Sequence, residues 1–144
     1  MIFKKQTRLH TGSLPEERGN CFPAVIASFL EMEVEDVIQI QEYYDGLWTD
    51  KLHEWLNERG YYYHSADEFK CFHPELLNGL ETADWLLETR SNLQDQYYLV
   101  SGESPRNPDI NHIVIYQNGQ MVFDPHIDNT GIKTLERFTI LESI

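Results

Sequence analysis

Three residue types that together can perform acyl transfer occur in this chain in a workable order: Cys21 early, then His112 and Asp124 far downstream. A thiol becomes an effective nucleophile when a base takes its proton, and the base needs a third group that fixes its ring. Cys21 lies in the stretch from Arg18 to Glu31, RGNCFPAVIASFLE, where Phe22, Val25, Ile26, Phe29 and Leu30 follow the spacing of a helix with one buried stripe. Gly19 permits a sharp approach, Asn20 is a good N-cap, and Pro23 falls in the first turn, where its missing N–H is not needed. The spacing thus puts Cys21 at the positive end of the helix dipole, among unpaired N–H groups that favour the thiolate. The plainer reading is a small buried cysteine in a core helix.

The base and its orienter sit on the clearest hairpin in the chain, His112 to Phe123, whose apolar halves HIVIY and MVF flank Asn118-Gly119. A two-residue type I′ turn would pair Gln117 with Gln120, set His112 against Pro125 and turn Asp124 to the other side of the sheet. A three-residue loop with Gly119 in a left-handed bulge would set His112 directly opposite Asp124 on one face. The second register is the expected one. It places Ile113, Ile115, Met121 and Phe123 on one face and His112, Val114, Tyr116, Val122 and Asp124 on the other.

The remaining elements must hold this pair against the cysteine. Ile2 to Leu9 reads as an edge strand or extended arm and His10 to Arg18 as a loop. The Cys21 helix is expected to end near Met32, with a short second helix over Val34 to Ile40. A third helix is capped by Thr49, carries Leu52, Trp55 and Leu56 on its apolar face and stops at Gly60. Tyr61 to Tyr63 and Tyr97 to Ser101 have strand character, Gly102 to Asn111 is a loop, and a last strand falls around Arg137 to Leu141. A turn of helix at Glu75 to Leu80 and a helix or strand at Thr82 to Arg90 are weak signals in a segment, 66–92, of unassigned role. Helices first and strands second point to a single α+β domain over residues 1–144, with an antiparallel sheet packed on the Cys21 helix.

The chain has 144 residues, enough for one domain with a real core. Long apolar runs and a secretory leader pattern are both missing from the sequence, so a cytoplasmic protein is expected, with Cys21 and Cys71 as free thiols and Cys71 buried. Acidic residues outnumber basic ones 24 to 11, a formal charge of −13 that disfavours nucleic acid and anionic membranes as partners and suits cationic or neutral ones. His10, His53, His64 and His73 have no evident partners, and Trp48, Trp55 and Trp85 read as core, with one of them available to wall a cleft.

A cysteine at the front of the leading helix, followed far downstream by a histidine at a strand start and an aspartate at the end of the next strand, resembles the papain-like cysteine peptidase superfamily. The passages GNCFPAVIASFLEMEVEDV, YYLVSGESPRNPDINHIVIY and NGQMVFDPH are similar to small bacterial and phage proteins of that fold. The resemblance covers the first and last thirds of the chain. It implies a papain-like fold, Cys21 as nucleophile, His112 as general base then acid, Asp124 as orienter, and an upstream glutamine that helps form the oxyanion hole. Gln6 is the upstream glutamine, fifteen residues before Cys21, and Asn20 is the substitute for it.

The function this implies is a cysteine hydrolase, peptidase or amidase, that cleaves a peptide, isopeptide or other amide through a thioester and requires no cofactor. Arg106, in the loop before His112, is placed to bind a substrate carboxylate or else is a solvated loop arginine. Asn20 is equally a plain cap, His112 a satisfied strand-end histidine and Asp124 a turn residue before Pro125. Two other readings remain open. One is a silent domain of the same fold that binds a peptide, cell-wall fragment or protein partner. The other is a metal-dependent hydrolase in which His112, Asp124, His126 and Asp128 hold a divalent ion.

Overall fold

The apolar content of the Cys21 helix decides the architecture. In α1 (Cys21–Leu30) every residue from Pro23 to Ser28 is buried. Val25 packs with Leu99, Ile113 and Ile115, whereas Ala24, Ile26 and Ala27 pack with Val34, Val37, Ile40, Leu52 and Leu56. A helix apolar around its circumference must be covered on every side. The single stripe expected from spacing is therefore too narrow, because Ala24, Ala27 and Ser28 complete the ring and α1 lies between two layers.

The computed structural model describes residues 1–65 and 95–143. Over these the chain is α+β: α1, α2 (Trp48–Asn57), short 3₁₀ turns, and a five-stranded antiparallel sheet. Its strands are β1 (Tyr61–Ser65), β2 (Tyr97–Glu103), β3 (Asn111–Gln117), β4 (Gln120–Phe123) and β5 (Arg137–Ser143), in the spatial order β1-β5-β2-β3-β4. One face of the sheet meets α1, and on the other Tyr98, Val100 and Val114 pack with Ile132, Leu135 and Phe138. No helix among the described residues is long and apolar enough to cross a membrane. Cys71, His73, Trp85 and the segments Glu75 to Leu80 and Thr82 to Arg90 lie outside the described residues.

Several boundaries differ from expectation for local reasons. α1 stops at Leu30 rather than near Met32, since Glu31 turns left-handed (φ 56°) and the Met32 N–H closes on the Ala27 carbonyl at 3.0 Å. The expected helix over Val34 to Ile40 is instead two 3₁₀ turns, Val34–Asp36 and Ile40–Tyr43. Between them the Gln39 amide donates to the Val34 and Val37 carbonyls, the acceptors a continuing helix would use. α2 begins at Trp48 without a side-chain cap, so Thr49 lies inside it, but Leu52 and Leu56 are buried and Gly60 (φ 82°) ends the segment as expected.

The hairpin forms the register that was not expected, then corrects it. Asn118 and Gly119 both have positive φ (52° and 80°) and Gln117 pairs with Gln120, which is the two-residue turn. Past Tyr116–Met121 the ladder slips by one residue at Val122, so that Ile115 pairs with Phe123. The two-residue turn puts Met121 on the face of Tyr116 rather than that of Ile115, and the bulge returns Asp124 to the side of His112. His112 and Asp124 thus meet on a diagonal, not directly across the ladder.

The arm from Ile2 to Leu9 pairs with no strand among the described residues. Ile2 donates to the Ser28 carbonyl, Lys4 to Ser28 Oγ, and Gln6 to the Pro125 carbonyl at 2.9 Å, so the arm runs along α1 and ends beside the hairpin.

Candidate active site

α1 begins at Cys21, which holds the sulfur in the first turn, where the chain's N–H groups have no intrahelical acceptor. The thiol is half-buried and unbridged. It lies close enough to the His112 side chain to favour the charged imidazole. His112, 4% exposed, opens β3 and sets Nε2 2.6 Å from Asp124 Oδ1, which leaves Nδ1 to face the sulfur. Asp124, 2% exposed, accepts two further bonds, from the His126 N–H at 2.8 Å and the Gly131 N–H at 2.7 Å.

These contacts set the charges. Burial works against the charged imidazole, but the hydrogen bonds and charges of Asp124 and Cys21 outweigh it and push His112 up to about 9. Burial likewise works against the Asp124 carboxylate. The His112 bond and the two backbone N–H groups prevail and hold it below its ordinary range. His112 is therefore protonated at neutral pH against an ionised carboxylate.

Around the three residues opens a cavity of about 840 Å³. Gln6, Cys21, His112 and Arg106 all line it, while Asp124 stands behind the imidazole. The arm has carried Gln6 to the site. Its Nε2 donates to the Arg8 carbonyl at 3.1 Å, its Oε1 is buried with no partner, and the amide lies over Gly19.

Asn20 is used differently from either sequence reading. It occupies the N-cap position without making a cap bond, and it is fully buried. Its Oδ1 accepts the Thr7 and Arg8 N–H groups at 3.1 and 2.9 Å, and its Nδ2 donates to Thr7 Oγ1 and Gln39 Oε1 at 2.8 and 3.1 Å. Both amide hydrogens are committed, so Asn20 has none left for an oxyanion. Its work is to fasten the arm that carries Gln6.

Arg106 points into the cavity wall and binds both oxygens of Asp128 (2.9 and 3.0 Å) and Thr130 Oγ1 through Nη1 alone. His126 also lines the cavity, its ring 6.1 Å from that of His112 and nearly perpendicular to it. The metal-dependent reading loses its ligands here. Asp124 spends its oxygens on three hydrogen bonds, Asp128 is held by Arg106, and among the described residues no group of three or more His, Cys, Asp or Glu could hold an ion.

Residues that the sequence left unassigned also reach the cavity. Trp48 packs against Phe22 and Tyr44 and walls the cleft, as one tryptophan was expected to, and His10 lines it as well. Two-fifths of Tyr44 is open, yet its hydroxyl feels Cys21, Arg18 and Tyr63. Outside the cavity, His53 lies against Tyr63 (4.4 Å between rings) and Trp55 carries the Arg59 guanidinium 3.8 Å above its ring. No family model, curated protein or solved structure matches the chain.

Proposed function

We propose that the chain is a papain-like cysteine hydrolase that cleaves an amide bond through a thioester. The observation that carries this reading is the convergence of Cys21, His112 and Asp124 at a large cavity, with the imidazole 2.6 Å from the carboxylate and the cysteine close enough to favour its charged form. A buried histidine held by an ionised carboxylate and next to a thiol in the first turn of a helix fits a general base and acid.

In the first half-reaction the sulfur attacks the substrate carbonyl, the C–N bond breaks, and the proton held on His112 passes to the departing amine. Water then attacks the thioester and gives up a proton to His112, and the S–C bond breaks to release the acid with that proton back on the imidazole. The Cys21 N–H and the remaining Gln6 amide hydrogen are the donors nearest to hand for the oxyanion. Asp124 keeps the ring turned and its charge compensated.

Alkylation tests the reading directly. At pH 6, where an ordinary thiol with a pKa of about 8.5 is almost wholly protonated, iodoacetamide should label Cys21 at least tenfold faster than free cysteine. His112→Ala should remove the excess, with the label located by peptide mapping so that Cys71 is scored separately. Equal rates for Cys21 and free cysteine, unaffected by His112→Ala, would overturn catalysis and leave a binding domain. A panel of peptides, isopeptides and muropeptides, run beside Cys21→Ala, then identifies the bond cleaved.

A further inference from the structure

The wall next to the triad carries two polar groups with positions that no described residue occupies. His126 Nδ1 meets Asp128 twice, its N–H at 3.1 Å and its Oδ1 at 3.0 Å. Burial first, and the positive charge of Arg106 after it, hold the ring below its ordinary value. Whichever ring nitrogen carries the proton, Nε2 has no partner among the described residues, although the side chain is only 15% exposed and faces the cavity. Arg106 repeats the pattern. Its Nη1 serves Asp128 and Thr130, while Nη2 and Nε donate to nothing among the described residues.

Position indicates what these donors would meet. His126 stands against His112, 6.1 Å ring to ring. In acyl transfer His112 delivers its proton to the departing nitrogen, so the departing fragment lies against that imidazole and next to His126. From a departing amino acid's nitrogen to its carboxyl carbon is about 2.5 Å along N–Cα–C. With a hydrogen bond of about 3 Å at each end, such a fragment reaches up to about 8.5 Å, so it bridges two rings whose centres lie 6.1 Å apart in a bent arrangement. A guanidinium edge with Nη2 and Nε to spare is a donor set that matches a carboxylate, and His126 adds a third donor in the tautomer that carries its proton on Nε2.

We infer that Arg106 and His126 form a carboxylate subsite on the leaving-group side of Cys21 and His112, which makes the substrate a peptide cleaved at its last bond, with release of the C-terminal amino acid. The inference rests on the hydrolase reading above and adds its substrate class. A local device is needed because the chain as a whole carries −13 and repels an anionic peptide at long range. Of the acids on the cavity wall, Asp45 is held by Arg18, and Asp109 sits on the same loop as Arg106.

The test uses protection of Cys21 as well as turnover. N-acetyl dipeptides ending in alanine, phenylalanine or glutamate are each offered as free acid and as C-terminal amide, and the iodoacetamide rate at Cys21 is followed. At least one free acid should protect Cys21 at a concentration tenfold or more below its own amide, and should be the better substrate of the pair. His126→Phe and Arg106→Gln should each bring acid and amide within about twofold. If Arg106→Gln fails to fold, His126→Phe, which keeps the Arg106–Asp128 pair, decides alone. Acid and amide that protect equally, or no protection by either, overturn the subsite. The hydrolase reading is judged separately, by whether Cys21 alkylation without peptide depends on His112.

Discussion

The imidazole of His112 makes the site's chemistry and its stability depend on pH together. Its pKa is raised in the folded chain from 6.5 to about 9, so it contributes stability that is fully present below pH 6.5 and lost as pH rises through 9. Asp124 is shifted the other way. Its contribution is present above its ordinary 3.8 and lost as pH falls through the lower folded value. In urea titrations the stability gap between the native chain and His112→Ala should shrink by up to about 3 kcal/mol between pH 6.5 and 9. A gap that stays flat over that range would mean the imidazole does not hold its proton. Turnover should fall above pH 9 for the same reason, as the proton donor for the leaving group is lost.

Asn20 gives a second test on this scale. As a mere cap, its replacement by alanine would cost about 1 kcal/mol. Because its removal strands the part-buried Thr7 and Arg8 N–H groups and empties a fully buried position, Asn20→Ala should cost about 2 kcal/mol or more in a denaturant midpoint series. The contrast also explains what could be read ahead of the structure. Cys21, His112 and Asp124 were legible because acyl transfer requires those types on those kinds of element. Asn20 was not, since its partners Thr7 and Gln39 lie 13 and 19 residues away in segments without periodicity.

The hairpin of β3 and β4 shows how an element can deliver a side chain by a route other than the one its sequence suggests. Asn118-Gly119 reads as a tight turn, and it is one. What the pattern could not reveal was the slip at Val122, which repays the turn's register and returns Asp124 to His112. Bulges leave little trace in an apolar pair such as Met121-Val122, where either residue can face the core. β2 carries a sharper constraint. A Cβ at Gly102 would fall 1.7 Å from the Thr134 carbonyl oxygen, in the segment whose Gly131 N–H holds Asp124. Gly102→Ala should therefore destabilise by about 3 kcal/mol or more, the upper range for overpacking, and should slow Cys21 alkylation as Asp124 loses that bond. Gly60→Ala is the control. Its φ of 82° is strained for alanine but the space around it is open, so it should cost only about 1 kcal/mol and leave alkylation unchanged.

At the scale of the whole molecule, the sum of charges and the local site pull in opposite directions. The total of −13 suggests a chain that avoids anions, yet the cavity wall presents Arg106 and His126 with donors to spare. Net charge governs the far field, and donors on the cavity wall govern what binds at contact distance. The far field has its own consequence. Few exposed ion pairs offset the excess: Arg8 with Glu35 and Glu42, Arg18 with Asp45, and Lys4 with Glu33 among them. Each is worth between about 0 and 1 kcal/mol, and salt weakens it. The mutual repulsion of 24 acids against 11 bases is spread over the surface and is also screened, as the Debye length falls from about 30 Å at 0.01 M to about 8 Å at 0.15 M. Repulsion involves every acid, whereas ion pairs with lysine, arginine or the N-terminus among the described residues involve eight, so screening should favour the folded chain. The melting temperature should rise by a few degrees between 10 and 150 mM sodium chloride. A fall over that range would show that the ion pairs along the arm and the 3₁₀ turns outweigh the repulsion, and that the arm carrying Gln6 is held by charge as much as by Asn20.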